Sequence, residues 1–151
     1  MCKPIQSEQR FGWGPECGDG ISIGLAVPQT EVAADRPFRW RWAIRTSAEA
    51  PCEVTIRDEF DPVFRYRLQV RRPGAAEPLA DFPPPLTTSR TTSPRSPVKV
   101  ALLKGVPQEM DGGEAGIDRR WGPGVYELQV LYGGPGFSFD CHSGVVLVSV
   151  P

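Results

Sequence analysis

At 151 residues the chain fits one domain, which at that size buries roughly 70% of its unfolded surface; its 40% hydrophobic and 23% charged residues exclude a disordered chain. A net charge of −1 leaves no global field to draw it to nucleic acid or to a membrane surface. Seventeen prolines and sixteen glycines argue against helices and for short strands joined by turns.

Residues 1–20 read as an N-terminal extension, with a Gly-rich entry ("WGPECGDG") and no apolar leader segment. A first strand is expected at "ISIGLAV" (21–27), ended by Pro28. "PFRWRWAIR" (37–45) alternates, with Phe38, Trp40, Trp42 and Ile44 on one face and Arg39, Arg41 and Arg45 on the other. "CEVTIRD" (52–58) is a third strand, with Val54 and Ile56 inward. "VFRYRLQVRR" (63–72) repeats the alternation, setting Phe64, Tyr66, Leu68 and Val70 against Arg65, Arg67, Gln69 and Arg71. Residues 73–97 form a long Pro/Ser/Thr-rich connection without apolar periodicity, a length at which loops are functional or loosely ordered.

"VKVALLK" (98–104) is a strand, followed by a stretch whose glycines at 112, 113 and 116 read as turns. "GVYELQVLY" (124–132) alternates again, and Tyr126, Leu128, Val130 and Tyr132 are assigned to the core side. "GVVLVSV" (144–150) closes the chain. Seven strands with turn signals between them make an antiparallel β-sandwich, a single domain over 21–151.

Candidate chemistry is sparse. The lone histidine lies in "DCHSG" (140–144), but Cys141 and His142 are adjacent along a strand entry and point to opposite faces, which leaves His142 badly placed as a base. No catalytic residue, metal site or cofactor is therefore expected, and an enzyme built on Cys141 and His142 stays an outsider. The acidic turn "DEFDP" (58–62) offers too few oxygens for calcium. "FPPPL" (82–86) resembles a short polyproline ligand, and "TTSPRSP" offers Ser-Pro steps. Cys2, Cys17, Cys52 and Cys141 allow three pairings. Strands opening at Cys52 and Cys141 would lie about two strand spacings apart, near 9–10 Å, beyond disulfide reach. Free thiols are expected. A cytoplasmic chain with no membrane span follows; the alternative is an exported lipoprotein carrying its lipid on Cys2, if Met1 is not native.

The arginine rows are the most informative feature. Residues 36–72 carry nine arginines against five acidic residues. If their two strands share a sheet, Arg39, Arg41, Arg45, Arg65, Arg67 and Arg71 form one basic patch whose planar heads suit carboxylate or phosphate. The partner expected is a protein with an acidic surface rather than nucleic acid, because the aromatics interleaved with these arginines face inward.

The strand markers "DRPFRWRWAIR", "YRLQV", "VALLKG", "GPGVYELQVLY" and "SGVVLVSV" resemble a widespread group of bacterial immunoglobulin-like domains. In layout they are similar to the bacterial intracellular proteinase inhibitor family. The likeness covers roughly residues 20–151. It implies an immunoglobulin-like sandwich of about seven strands and, as an alternative function, a proteinase inhibitor that presents the 73–97 loop. The residues themselves lead us to expect a non-catalytic interaction module that uses its Arg-bearing sheet face or its loops.

Overall fold

The computed structural model describes residues 11–57, 66–82, 98–133 and 141–151. The described chain is all-β, with antiparallel sheets and two short 3-10 turns as its only helical elements. The strands are β1 (Gly12–Trp13), β2 (Ile21–Ala26), β3 (Phe38–Thr46), β4 (Cys52–Arg57), β5 (Tyr66–Arg71) and β6 (Ala80–Phe82), followed by β7 (Val98–Leu102), β8 (Gln108–Ala115), β9 (Gly124–Tyr132), β10 (Cys141–His142) and β11 (Val146–Val150). Eleven strands thus stand among the described residues where seven were expected, and they fall into three sheets. The four additions, β1, β6, β8 and β10, read "GW", "ADF", "QEMDGGEA" and "CH". None carries a β-branched residue, so their strand character comes from pairing with neighbours rather than from local propensity.

One sheet has the order β1-β2-β3-β8. The second runs β10-β9-β5-β6, with β11 also on β9, and β4 and β7 form a separate ribbon. Both β10 and β11 pair with β9, at its two ends, so they act as one strand interrupted at 143–145. Ser143 repairs the gap: its backbone N–H donates to the Val130 carbonyl, and its Oγ accepts from the Val130 N–H at 2.9 Å. The connection expected over 73–97 is broken early, because Ala80–Phe82 pair with Leu68–Val70. Residues 83–97, with most of "FPPPL" and all of "TTSPRSP", lie outside the described residues, as do Phe64 and "DEFDP".

The inward rows of the two larger sheets meet in one core. Trp40, Trp42 and Ile44 of β3 pack with Leu68 and Val70 of β5 and Tyr126, Leu128 and Val130 of β9, all fully buried. Rings cross between the sheets: Trp42 lies 4.7 Å from Tyr66 and 6.3 Å from Tyr132, centroid to centroid. The alternation in β3 and β9 therefore assigns the core face correctly.

Strand β8 was read as turns because of its glycines, yet one of them is what lets it pair. The β3–β8 register shifts between Trp40 and Arg41, leaving Gly112 without a partner, and a Cβ at Gly112 would lie 2.4 Å from the Trp40 ring. A glycine inside a strand marks such a bulge or close approach. Gly112→Ala should cost about 1–3 kcal/mol through overpacking. An unchanged midpoint in thermal denaturation would show that Trp40 can move aside freely.

Candidate functional site

The two arginine rows do not form one patch. Strand β3 belongs to the first sheet and β5 to the second, so Arg39, Arg41 and Arg45 lie on one outer face and Arg67 and Arg71 on another. Arg65 is outside the described residues.

Most of these arginines already have partners. Arg39 is ion-paired with Asp111 and lies 3.9 Å from Glu114, and Arg41 lies 3.3 Å from Glu109. All three carboxylates sit on β8. The backbone N–H of Gly113 and the Arg39 guanidinium together hold the Asp111 carboxyl below its usual range. These pairs are about half exposed, so they contribute little to stability. On the other sheet Arg67 lies 3.7 Å from Asp81, while Arg71 donates to the Gln69 side chain and to the Ala75 carbonyl.

Arg45 differs. Its Nε donates to Ser22 Oγ at 3.1 Å, and its guanidinium lies 3.8 Å above the Trp13 ring. No acidic residue pairs with it among the described residues. The head is thus held in place while, among the described residues, its charge is met by a hydroxyl and a π face, the latter a cation–π contact of about 0.5–2 kcal/mol.

Trp13 reaches this position because β1 lies along β2, with Trp13 opposite Gly24. Ile21, Ile23 and Leu25 point into the core, so Gly24 faces outward. A Cβ there would meet Phe11 Cβ at 2.9 Å and the Trp13 ring at 3.0 Å. Beside it Ala43 is fully buried although it belongs to the outward row of β3. Small residues at 24 and 43 therefore make the bed on which Phe11 and Trp13 rest, their rings 5.9 Å apart. The outer face of this sheet thus carries two half-buried aromatics, one of them under Arg45, on the same face as Arg41 and Arg39. Inspection of β3 alone finds the arginines and misses the aromatics.

Free thiols do not hold for two of the cysteines: Cys17 and Cys141 form a disulfide, with Cα atoms 5.7 Å apart. The geometric objection applied to Cys52, which lies in the β4–β7 ribbon and is free, and not to Cys17, which precedes β2. Cys141 turns inward and His142 outward, as neighbours along a strand should. With its sulfur bonded to Cys17, Cys141 offers no thiolate to a base. His142 Nδ1 lies 3.1 Å from the Gln129 side-chain amide.

Arg72, outside the alternation used to pick candidates, is structural. It donates to the carbonyls of Trp121, Pro123 and Val125 at 2.8–3.1 Å and stacks on the Tyr126 ring, fastening the turn that enters β9. An open groove of about 460 Å³ lies near that turn, between the ends of β6 and β8, with Phe82, Ile117 and Trp121 in its wall. Asp118 at its rim is held at about 2 by hydrogen bonds from the Arg120 side chain and backbone N–H. No group of three potential metal ligands occurs among the described residues, and no helix there is long and apolar enough to cross a membrane.

No family model and no curated protein matches the chain. Among solved structures it is similar to a mutant beta-glucosidase from Listeria innocua in complex with laminaribiose, at 12% identity and a TM-score of 0.45 over 87% of this chain. The same enzyme in complex with isofagomine gives 12% identity, a TM-score of 0.45 and 86% coverage. A beta-glucosidase from Erythrobacter marinus gives 12% identity, a TM-score of 0.37 and 95% coverage. The chain spans 16% of the length of each of these chains, and at such TM-scores nothing of their activity carries over.

Proposed function

We propose that the chain is a non-catalytic, immunoglobulin-like binding module that takes an acidic segment of another protein on the outer face of the β3 sheet, with Arg45 as the central contact. Three features support the immunoglobulin-like reading. Strands β2, β3 and β8 face a sheet ordered β11, β9, β5, β6; residues 30–32 run alongside β11, with a parallel bridge from Glu31 to Ser149; and the Tyr126 hydroxyl donates to the Gly122 carbonyl four residues upstream. The last resembles the tyrosine corner of such sandwiches.

One observation carries the functional reading: Arg45 is fixed by Trp13 and Ser22 but has no carboxylate among the described residues. Nε and the ring face are occupied, and the terminal nitrogens form the fork that a carboxylate accepts bidentately. Tryptophan and arginine are the residues that dominate binding energy at protein interfaces. The disulfide supports an oxidising compartment over the cytoplasm. The proteinase-inhibitor reading rests on a loop whose greater part, 83–97, lies outside the described residues, and no observation favours it.

A labelled glutamate-rich peptide, titrated by fluorescence anisotropy, tests the reading. Arg45→Ala should weaken binding about tenfold or more, as loss of a charge-assisted contact worth about 1.5–3 kcal/mol requires. Arg67→Ala, on the other sheet, should stay within about twofold. Equal losses from both substitutions, or none, would contradict the assignment.

A further inference from the structure

We infer that oxidation of Cys17 and Cys141 completes this binding surface, by fastening the Phe11–Cys17 segment and with it the Trp13 platform beneath Arg45. The inference rests on the proposed reading of that face and adds its regulation.

The segment has little else to hold it. Strand β1 is two residues long, and among the described residues the segment's backbone bonds outside the β1–β2 ladder are Gly14 N–H to the Ile23 carbonyl, Cys17 N–H to the Ile21 carbonyl and Gly144 N–H to the Gly12 carbonyl. Phe11 and Trp13 lie on the outer face and are not part of the buried core; of this segment only Cys17 packs against that core. Its fit is close, since a Cβ on Gly14 would fall 1.9 Å from the His142 carbonyl oxygen and one on Gly144 would fall 3.0 Å from that of Trp13. Backbone therefore lies against backbone, between β2 and residues 142–144. Such a strip, with few buried apolar contacts, is where local opening occurs without global unfolding.

The disulfide ties this strip to β10 across a separation of 124 residues. Each cysteine gives up one proton and one electron as the S–S bond forms, and the two electrons reduce a donor disulfide, small or protein-borne, to two thiols. Cys17 is half-buried and Cys141 is 3% exposed, so Cys17 is the more accessible sulfur, which sets the order of exchange. The Cys17 thiolate attacks the donor and forms the mixed disulfide; the Cys141 thiolate then attacks the Cys17 sulfur and expels the second donor thiol. In reduction an external thiolate attacks at Cys17 and Cys141 leaves.

The test compares the full chain oxidised and after treatment with dithiothreitol, by hydrogen exchange and by binding of a labelled hexaglutamate peptide. After reduction the Gly14 and Cys17 amides should exchange at least tenfold faster than in the oxidised chain, and at least tenfold faster than the Leu128 and Val130 amides, whose protection follows the lowered global stability. Peptide affinity should fall about fivefold or more, and oxidised glutathione should restore both. Cys17→Ser should behave as the reduced chain, and Trp13→Ala in the oxidised chain should reproduce the loss of affinity. Unchanged exchange at Gly14 and Cys17 would overturn the inference. So would exchange in the reduced chain that is no faster at Gly14 and Cys17 than at Leu128 and Val130, which would make the disulfide a staple of the whole fold, or full affinity in Trp13→Ala. Should the oxidised chain not bind the peptide at all, the reading of the face fails, and the exchange result still decides whether the segment opens.

Discussion

Trp42→Ala should destabilise the chain by roughly 3–5 kcal/mol, the range for emptying a large aromatic site. Trp42 is fully buried, lies between Leu25 and Met110 on the neighbouring strands, and stacks on Tyr66 and Tyr132 of the facing sheet. Removing it takes away two of the ring contacts that join the two sheets. Its indole N–H is buried with no hydrogen-bond partner among the described residues. Trp42→Phe sacrifices less packing and no hydrogen bond, so it should cost distinctly less than alanine. Urea denaturation of the two variants checks this, and a loss below about 1 kcal/mol for Trp42→Ala would mean that the β3 register is inverted.

The second large effect is expected from the double substitution Cys17→Ser, Cys141→Ser. Closing a loop with a 124-residue separation restricts the unfolded chain, and such cross-links stabilise by about 2–5 kcal/mol. The Cα separation of 5.7 Å lies within the ordinary disulfide range. The loss arises mainly in the unfolded ensemble, so the variant should remain folded, with the Trp42–Tyr66 core intact and a lower denaturation midpoint. A midpoint equal to that of the oxidised parent would show that the bond contributes nothing to stability.

The core was legible in the sequence wherever alternation ran over several residues. Phe38 to Ile44 and Tyr126 to Tyr132 announce their buried faces because aromatic and aliphatic residues repeat with a period of two. The strands that escaped lack that signal: β8 is acidic and glycine-rich and β1 is two residues long, so both are specified by their partners. The outer face was half legible. Arg39, Arg41 and Arg45 follow from the same alternation, but the acids that neutralise two of them arrive on the unforeseen β8. Trp13 comes from a segment read as an extension. Gly24 and Ala43 were the available signal, two small residues at the outward positions of adjacent strands, and they become meaningful only once the strands are paired. The Cys17–Cys141 bond was hidden for the same reason, since four cysteines permit three pairings and spacing does not choose among them.

The measurement that bears most directly on the central claim is a chemical-shift map of the oxidised chain titrated with a glutamate-rich peptide. Binding on the proposed face should move the Trp13 indole N–H, the Arg45 Nε–H and the Ala43 amide together, with the Arg67 and Arg71 signals still. Shifts centred on Arg67 and Arg71, or on Phe82 and Trp121 in the groove between β6 and β8, with Trp13 and Arg45 unmoved, would contradict it.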